Sequence, residues 1–99
     1  MLHNAKDLLG VANENYFAIP AFNISDYSMM KAIFEISEEK QSPVIIAIHP
    51  DELAHVGASF LASALDWAHR SKVPVVIHLD HGTTYAHVLK GIQAGFNSA

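Results

Sequence analysis

Residues 73–85 read VPVVIHLDHGTTY, and this stretch decides the fold because a mostly apolar run ends abruptly in two polar side chains. The run is rich in β-branched residues and follows a proline, which is typical of a buried strand in a parallel sheet. Asp80 and His81 come where such a strand would reach the surface. Carboxylates and imidazoles commonly transfer protons or bind metals, so this pair is the first candidate for a functional site.

Two earlier segments have the same character as this strand. FAIPAFN (17–23), PVIIAIH (43–49) and PVVIHLD (74–80) each read as a buried strand bounded by turn or breaker residues. Helix patterns separate them, and strands separated by helices predict parallel pairing with right-handed crossovers. The similarity of the second and third segments favours a repeating α/β architecture.

The helix patterns have recognisable beginnings and ends. Asn4 could cap a first helix that buries Leu8 and Val11. The next helix begins at Ser25 or Asp26 and ends near residue 40. A single long helix is predicted over residues 53–70, where apolar residues recur at steps of three and four. The last helix begins at Thr83 or Thr84 and ends near residue 95.

Two folds satisfy this order of elements. One is an open doubly wound sheet, and the other is part of a (β/α)₈ barrel. No glycine follows the first strand in AFNISDYS, which disfavours a dinucleotide-binding sheet. A complete barrel needs eight strands and roughly 250 residues. We therefore predict that residues 1–99 form a single partial TIM-barrel segment, a leading helix plus three β/α units, with GFNSA as the opening of a fourth strand.

Composition narrows the classes of function. The formal net charge is −4 and the six basic residues are scattered, so no nucleic-acid surface is predicted. The absence of cysteine excludes disulfides, thiolate metal sites and a cysteine nucleophile. No apolar run is long enough to cross a bilayer, and the first residues do not resemble a signal peptide. We expect a cytoplasmic protein with no membrane partner.

Each predicted strand ends in a polar residue: Asn23, His49 and Asp80. Side chains alternate along a strand, so Asp80 shares a face with Val76 and His78, opposite the wholly apolar face. If the apolar face packs on the helices, all three polar residues point toward the barrel axis at the carboxyl end, where barrel active sites lie. Taken singly, Asp80 could be a helix cap, Asn23 a turn residue and His78 a core histidine.

The stretches YFAIPAFNISDYSMMKAIFEISEEKQSPVIIAI and VPVVIHLDHGTT resemble the class II ketose-bisphosphate aldolases, the zinc-dependent fructose- and tagatose-bisphosphate enzymes. The resemblance runs over the whole chain and corresponds to the first part of that family's barrel. HLDHGTT is similar to the family's His-x-Asp-His signature at the end of the third strand. The resemblance implies reversible aldol cleavage of a ketose 1,6-bisphosphate to dihydroxyacetone phosphate and glyceraldehyde 3-phosphate.

The resemblance also implies roles for individual residues. Asp80 matches the catalytic aspartate that exchanges a proton with the hydroxyl group that becomes the aldehyde oxygen. His81 matches the first zinc-ligating histidine, and Asn23 matches an asparagine that lines the substrate pocket. His49 stands where relatives usually carry serine or glycine near a substrate phosphate. This departure, with PDEL following it, indicates a different substrate or a site under no selection.

Zinc would act as a Lewis acid that stabilises the enediolate formed during cleavage. The resemblance places two further histidine ligands, a glycine-rich phosphate site and a second acid/base beyond residue 99. We therefore expect the 99-residue chain alone to be inactive, unless His49, His78 and His81 form a local metal site. Two alternatives stay open: a non-enzymatic chain that docks through its open sheet edge, and an unrelated α/β enzyme with Asp80 as base. Full-length relatives are expected to be homodimers or larger.

Overall fold

A three-stranded parallel sheet organises the molecule. The structure is a computed structural model that describes residues 1–99, and its strands β1 (Ala21–Asn23), β2 (Val44–Ile48) and β3 (Val75–Leu79) lie in that order. The central Ile45 pairs with Ala21 of β1 on one side and with Val76 of β3 on the other. The predicted parallel order is confirmed, although β1 is shorter than residues 17–23. None of the helices has the length and apolar character needed to span a bilayer.

Five helices connect and flank the strands. They are α1 (Ala5–Glu14), α2 (Tyr27–Lys40), α3 (Pro50–Val56), α4 (Ala58–Arg70) and α5 (Tyr85–Ala94). The side chains of Asn4, Asp26 and Thr84 each accept a hydrogen bond from a backbone amide of the following helix. These bonds decide between the predicted caps, because Asp26 rather than Ser25 begins α2 and Thr84 rather than Thr83 begins α5.

The prediction of one continuous helix over residues 53–70 is wrong. The chain breaks at Gly57, whose φ of 83° and ψ of 175° are incompatible with a helix. Glycine adopts a positive φ without the steric cost that a β-carbon would bring. The first of the two helices also begins earlier than predicted, with Pro50 in its first turn and His49 as its N-cap. Proline suits that position because its missing N–H would have no partner there.

The apolar core lies between one face of the sheet and the helices. It includes the alternating strand residues Val44, Ile46, Ile48, Val75, Ile77 and Leu79, each at most 2% exposed. From α2, Phe34 enters this core and stacks on Trp67 of α4, with ring centroids 5.1 Å apart. The predicted assignment of the strand faces is confirmed. In α1, however, Ala12 is buried with Leu8, whereas the predicted core residue Val11 is half exposed.

Residues 97–98 occupy the position of a fourth strand. Ser98 forms a parallel bridge with His78, and the Leu79 amide donates to the Ser98 carbonyl. Further down the same edge of β3, Leu2 forms a parallel bridge with Val75, which the sequence did not predict. The Asn97 side chain joins the two pieces, since it accepts from the Ile77 amide and donates to the His3 carbonyl. The predicted opening of a fourth strand in GFNSA is confirmed.

Candidate functional site

Asn23 and Asp80 meet across the carboxyl end of the sheet. The Asn23 side-chain amide donates to Asp80 Oδ2 at 2.7 Å, although 57 residues separate them in sequence. Strand β2 lies between them, and Asn23 pairs with its Ala47. Ala47 carries only a methyl group, so the two longer side chains can reach each other across the middle strand. The bond orients the Asp80 carboxylate on the face of the sheet opposite the core that α2 and α4 form with the strands.

The environment of Asp80 favours its ionised form. The hydrogen bond from Asn23 is the main reason that the pKa of Asp80 lies below its ordinary value. Partial burial opposes this shift, whereas the nearby His81 and His78 rings and a backbone hydrogen bond from His81 add to it. A hydrogen bond to a carboxylate stabilises the charged form relative to the acid. Asp80 is therefore a carboxylate at neutral pH and can accept a proton.

We expect replacement of Asn23 by alanine to raise the pKa of Asp80 toward the ordinary value of about 4. A pKa lowered by folding means that the carboxylate stabilises the fold above the unfolded-state pKa, and that this stability is lost as the pH falls through the folded-state pKa. Carboxyl carbon NMR shifts followed between pH 2 and 7 would measure the change. Asn15→Ala, which removes a side-chain amide that donates to the Val11 carbonyl on α1, is the control and should leave the pKa of Asp80 unchanged.

His81 occupies a strained turn directly after Asp80. Its φ of 51° lies in the left-handed region, which is uncommon for a residue with a β-carbon. The turn redirects the chain, so Asp80 stays over the sheet while the His81 side chain is about two-thirds exposed. His81 Nε2 lies 3.7 Å from Asp80 Oδ2, too far for a hydrogen bond but close enough for attraction when the ring is charged. Strain of this kind is commonly found at functional sites.

The strain at His81 makes a prediction about stability. We expect the His81→Gly variant to unfold with a free energy about 0.5–1 kcal/mol higher than the His81→Ala variant, because relief of the left-handed conformation exceeds the entropy that glycine adds to the unfolded chain. Both variants lack the imidazole, so urea unfolding of the pair isolates the backbone term. The same two substitutions at Gln41, which has a φ of 52° at the end of α2, are the positive control. Equal stabilities at position 81 would show that the turn is unstrained.

His49 completes the group of polar side chains at the carboxyl end of the sheet. It follows β2 and caps α3, with its Nδ1 atom accepting a hydrogen bond from the Asp51 amide at 3.0 Å. Its ring lies beside that of His81, with centroids 5.2 Å apart and planes tilted by 42°. The predicted site residues of all three strands therefore lie at the same end of the sheet. Sequence reasoning had missed the capping role of His49, for which the following proline was the available signal.

A complete metal site is not formed by residues 1–99. No group of three histidine, aspartate or glutamate side chains is arranged to hold a metal ion. His78 in particular is engaged elsewhere, since its Nδ1 atom lies 2.8 Å from the Ser98 hydroxyl. The structure therefore does not bring His49, His78 and His81 together as a metal site. The exposed imidazole of His81 has the donor chemistry of a zinc ligand, but the described residues do not supply a full set.

Comparison with known proteins gives a consistent assignment. The family model described as fructose-bisphosphate aldolase class-II matches residues 3–99. The chain is 35% identical to a fructose-bisphosphate aldolase of Thermus caldophilus over 98 residues, which cover 99% of this chain and 32% of that protein. It is 40% identical to a 6-phospho-5-dehydro-2-deoxy-D-gluconate aldolase of Bacillus licheniformis over 97 residues, 94% of this chain and 33% of that protein. The chain thus spans about a third of the length of these relatives.

The structural comparison agrees with the sequence comparisons. The crystal structure of the YdjI aldolase from Escherichia coli K12 superposes with a TM-score of 0.92 and 26% identity, covering 98% of this chain and 38% of that one. This agreement supports the partial barrel and leaves the doubly wound alternative without support. A family match over nearly every residue also removes the alternative of an unrelated enzyme that uses Asp80. The chain belongs to the class II fructose-bisphosphate aldolase family.

Proposed function

We propose that residues 1–99 supply one part of the active site of an enzyme that reversibly cleaves a phosphorylated ketose to dihydroxyacetone phosphate and an aldehyde. The observation that carries this proposal is the 2.7 Å hydrogen bond by which Asn23 orients the Asp80 carboxylate beside His81. Family membership supports aldol chemistry, and the bond supplies an oriented group for the proton transfer that this chemistry needs.

Asp80 is the proposed acid/base. In the direction of cleavage, one of its carboxylate oxygens accepts the proton of the substrate hydroxyl whose carbon becomes the aldehyde. In the direction of condensation, the same oxygen returns that proton. A general base must lie within hydrogen-bond distance of the proton it removes. The bond from Asn23 holds the carboxylate in one orientation, which reduces the entropy lost when the substrate hydroxyl is placed against it.

His81 is the proposed contribution of this chain to a zinc site. Among the residues at the carboxyl end of the sheet, His81 offers an exposed imidazole beside Asp80, and the remaining ligands would come from polypeptide outside residues 1–99. When bound, zinc supplies Lewis-acid polarisation of the substrate oxygens. The strained turn at His81 contributes by presenting the ring away from the sheet, on the solvent side of Asp80.

A fusion enzyme tests this proposal. We define the hybrid enzyme as residues 1–99 of this chain followed by the part of the Thermus caldophilus aldolase that lies beyond the region matched to this chain. The TM-score of 0.92 to a related aldolase supports such a graft. We expect the hybrid enzyme to release dihydroxyacetone phosphate from phosphorylated ketoses in a zinc-dependent manner, and His81→Ala to lower its zinc affinity. A folded, zinc-loaded hybrid enzyme without aldol cleavage would refute the proposal.

We also propose that the 99-residue chain is inactive by itself, because one imidazole and one oriented carboxylate do not complete the catalytic constellation. The purified chain should release no dihydroxyacetone phosphate and should lose added zinc on dialysis. Measured turnover, together with zinc retained at a stoichiometry of one, would contradict this expectation.

A second candidate function is docking to a partner chain through the edge of β1. The observation that favours it is that Ala21, Phe22 and Asn23 are all exposed and pair only with β2. An uncovered strand edge can pair with another polypeptide. Sedimentation analysis decides the question, since a monomeric chain that unfolds cooperatively at all concentrations would count against docking.

A further inference from the structure

The imidazole rings of His49 and His81 lie side by side at the carboxyl end of the sheet. Their centroids are 5.2 Å apart and their planes are tilted by 42°. The two residues come from different loops, and the pairing of β2 with β3 brings them together. A hydrogen bond at the end of this pairing joins the Asp80 amide to the Ile48 carbonyl at 3.0 Å, and each of these residues is the chain neighbour of one histidine. The contact between the rings therefore follows from the register of the two strands.

The His49 ring is held in place by its own loop. Pro50 follows it and restricts the backbone of His49 to an extended conformation, with a φ of −73° and a ψ of 144°. Its Nδ1 atom accepts a hydrogen bond from the Asp51 amide at 3.0 Å, which fixes the orientation of the ring. The side chain is also partly buried. His49 thus presents a fixed aromatic ring to its neighbour.

The His81 ring is held less firmly by its own loop. The left-handed turn, with a φ of 51°, determines where the β-carbon points, but it leaves the side-chain torsion angles open. The ring is exposed, and its Nε2 atom lies 3.7 Å from Asp80 Oδ2, which is longer than a hydrogen bond. An exposed side chain exchanges between rotamers within picoseconds to nanoseconds unless a neighbour prevents it. The His49 ring is a neighbour that limits this rotation.

We infer that His49 is a positioning residue, whose ring holds the His81 imidazole in one orientation for metal binding. The inference rests on the part of the proposed function in which His81 contributes to a zinc site. Aromatic rings attract each other at centroid distances of roughly 4.5–7 Å, a range that includes the 5.2 Å found between these two. A ligand that is already oriented loses less side-chain entropy when the metal binds. His49 therefore acts on the zinc affinity through His81.

His49 acts from outside the set of metal ligands. Because Nδ1 accepts the Asp51 amide proton, the neutral ring is protonated on Nε2, and neither nitrogen offers a free lone pair in this tautomer. The cap depends on Nδ1, whereas packing against His81 depends on the flat ring. Substitution can separate the two roles. Asparagine at position 49 retains a capping acceptor without a ring, and phenylalanine retains a ring without an acceptor.

Nuclear magnetic resonance of the 99-residue chain tests the orientation of His81 in the absence of metal. The couplings between the α- and β-protons of His81 should show one dominant rotamer in the parent and in His49→Phe, but an average over rotamers in His49→Asn. A role of His49 limited to capping predicts the reverse order, because only phenylalanine removes the cap. Averaged couplings in the parent, the reverse order, or equal couplings in all three chains would overturn the inference.

The zinc affinity of the hybrid enzyme tests the consequence for the metal. Competition with a chelator should give a zinc dissociation constant about three- to tenfold higher in His49→Asn than in the parent, the equivalent of one lost aromatic contact. In His49→Phe the constant should stay close to that of the parent. The stability of the 99-residue chain in urea should follow the opposite order, with His49→Phe the less stable variant because it lacks the cap. A zinc affinity that follows the order of stability would overturn the inference.

A control variant and the assay of cleavage complete the test. His69→Asn, the same change on the exposed surface of α4, should leave the zinc affinity unchanged. A hybrid enzyme that binds zinc in the expected order of affinity but cleaves no phosphorylated ketose would refute the proposed function and support the inference. A hybrid enzyme that cleaves these ketoses, but has the same zinc affinity in His49→Asn as in the parent, would support the proposed function and overturn the inference.

Discussion

The Asp80→Asn variant of the hybrid enzyme is expected to cleave phosphorylated ketoses about 10²- to 10⁴-fold more slowly than the parent, the usual contribution of a positioned general acid or base. Asparagine has nearly the same shape, but it cannot accept the substrate proton at neutral pH. The KM should change much less than kcat, because the substituted amide still fills the same space. Steady-state cleavage, followed by the release of dihydroxyacetone phosphate, measures both constants.

Asn23→Ala is the variant to compare with Asp80→Asn. It leaves the carboxylate in place and removes the 2.7 Å bond that orients it. We therefore expect a smaller fall in kcat than for Asp80→Asn, accompanied by a shift in the pH profile as the pKa of Asp80 rises. Equal activity of Asp80→Asn and parent at all pH values would show that another group transfers the proton.

The largest expected effect on stability comes from Phe34. Its side chain is fully buried and stacks on Trp67 with ring planes 5° apart. Replacement by alanine is expected to lower the free energy of unfolding by about 3–5 kcal/mol, since the burial energy is lost and a cavity is left. Such a loss is a large fraction of the roughly 5–15 kcal/mol that stabilises a typical domain. Urea unfolding monitored by Trp67 fluorescence, with circular dichroism as second probe, measures the change.

Phe22→Ala is the control, because it makes the same chemical change at a partly exposed position. Phe22 lies on β1 and is 42% exposed, so its truncation should cost about 1 kcal/mol or less. Similar losses for the two variants would contradict the placement of the core between the sheet and α2. The comparison requires no catalytic assay, because it concerns only the packing of residues 1–99.

Local sequence patterns determined the order of elements and the strand faces. Alternation along β3 placed Ile77 toward the helices and Asp80 on the opposite face, because successive side chains of a strand point to opposite sides. Hydrophobic periodicity did not show where a helix is interrupted, because the interruption depends on the backbone conformation of one residue. The apolar repeat of residues 53–70 continues through Gly57, so the break there could not be read from periodicity, which records side-chain hydrophobicity but not φ.

The pairing of Asn23 with Asp80 was decided only by the tertiary structure. The sequence placed both residues at the ends of strands, but their contact depends on the register of three strands and on the small side chain of Ala47 between them. The same holds for His49, whose ring tautomer depends on a bond to the next helix. Polarity and period are properties of a segment and can be read along the chain, whereas the distance between side chains depends on how separate segments pack.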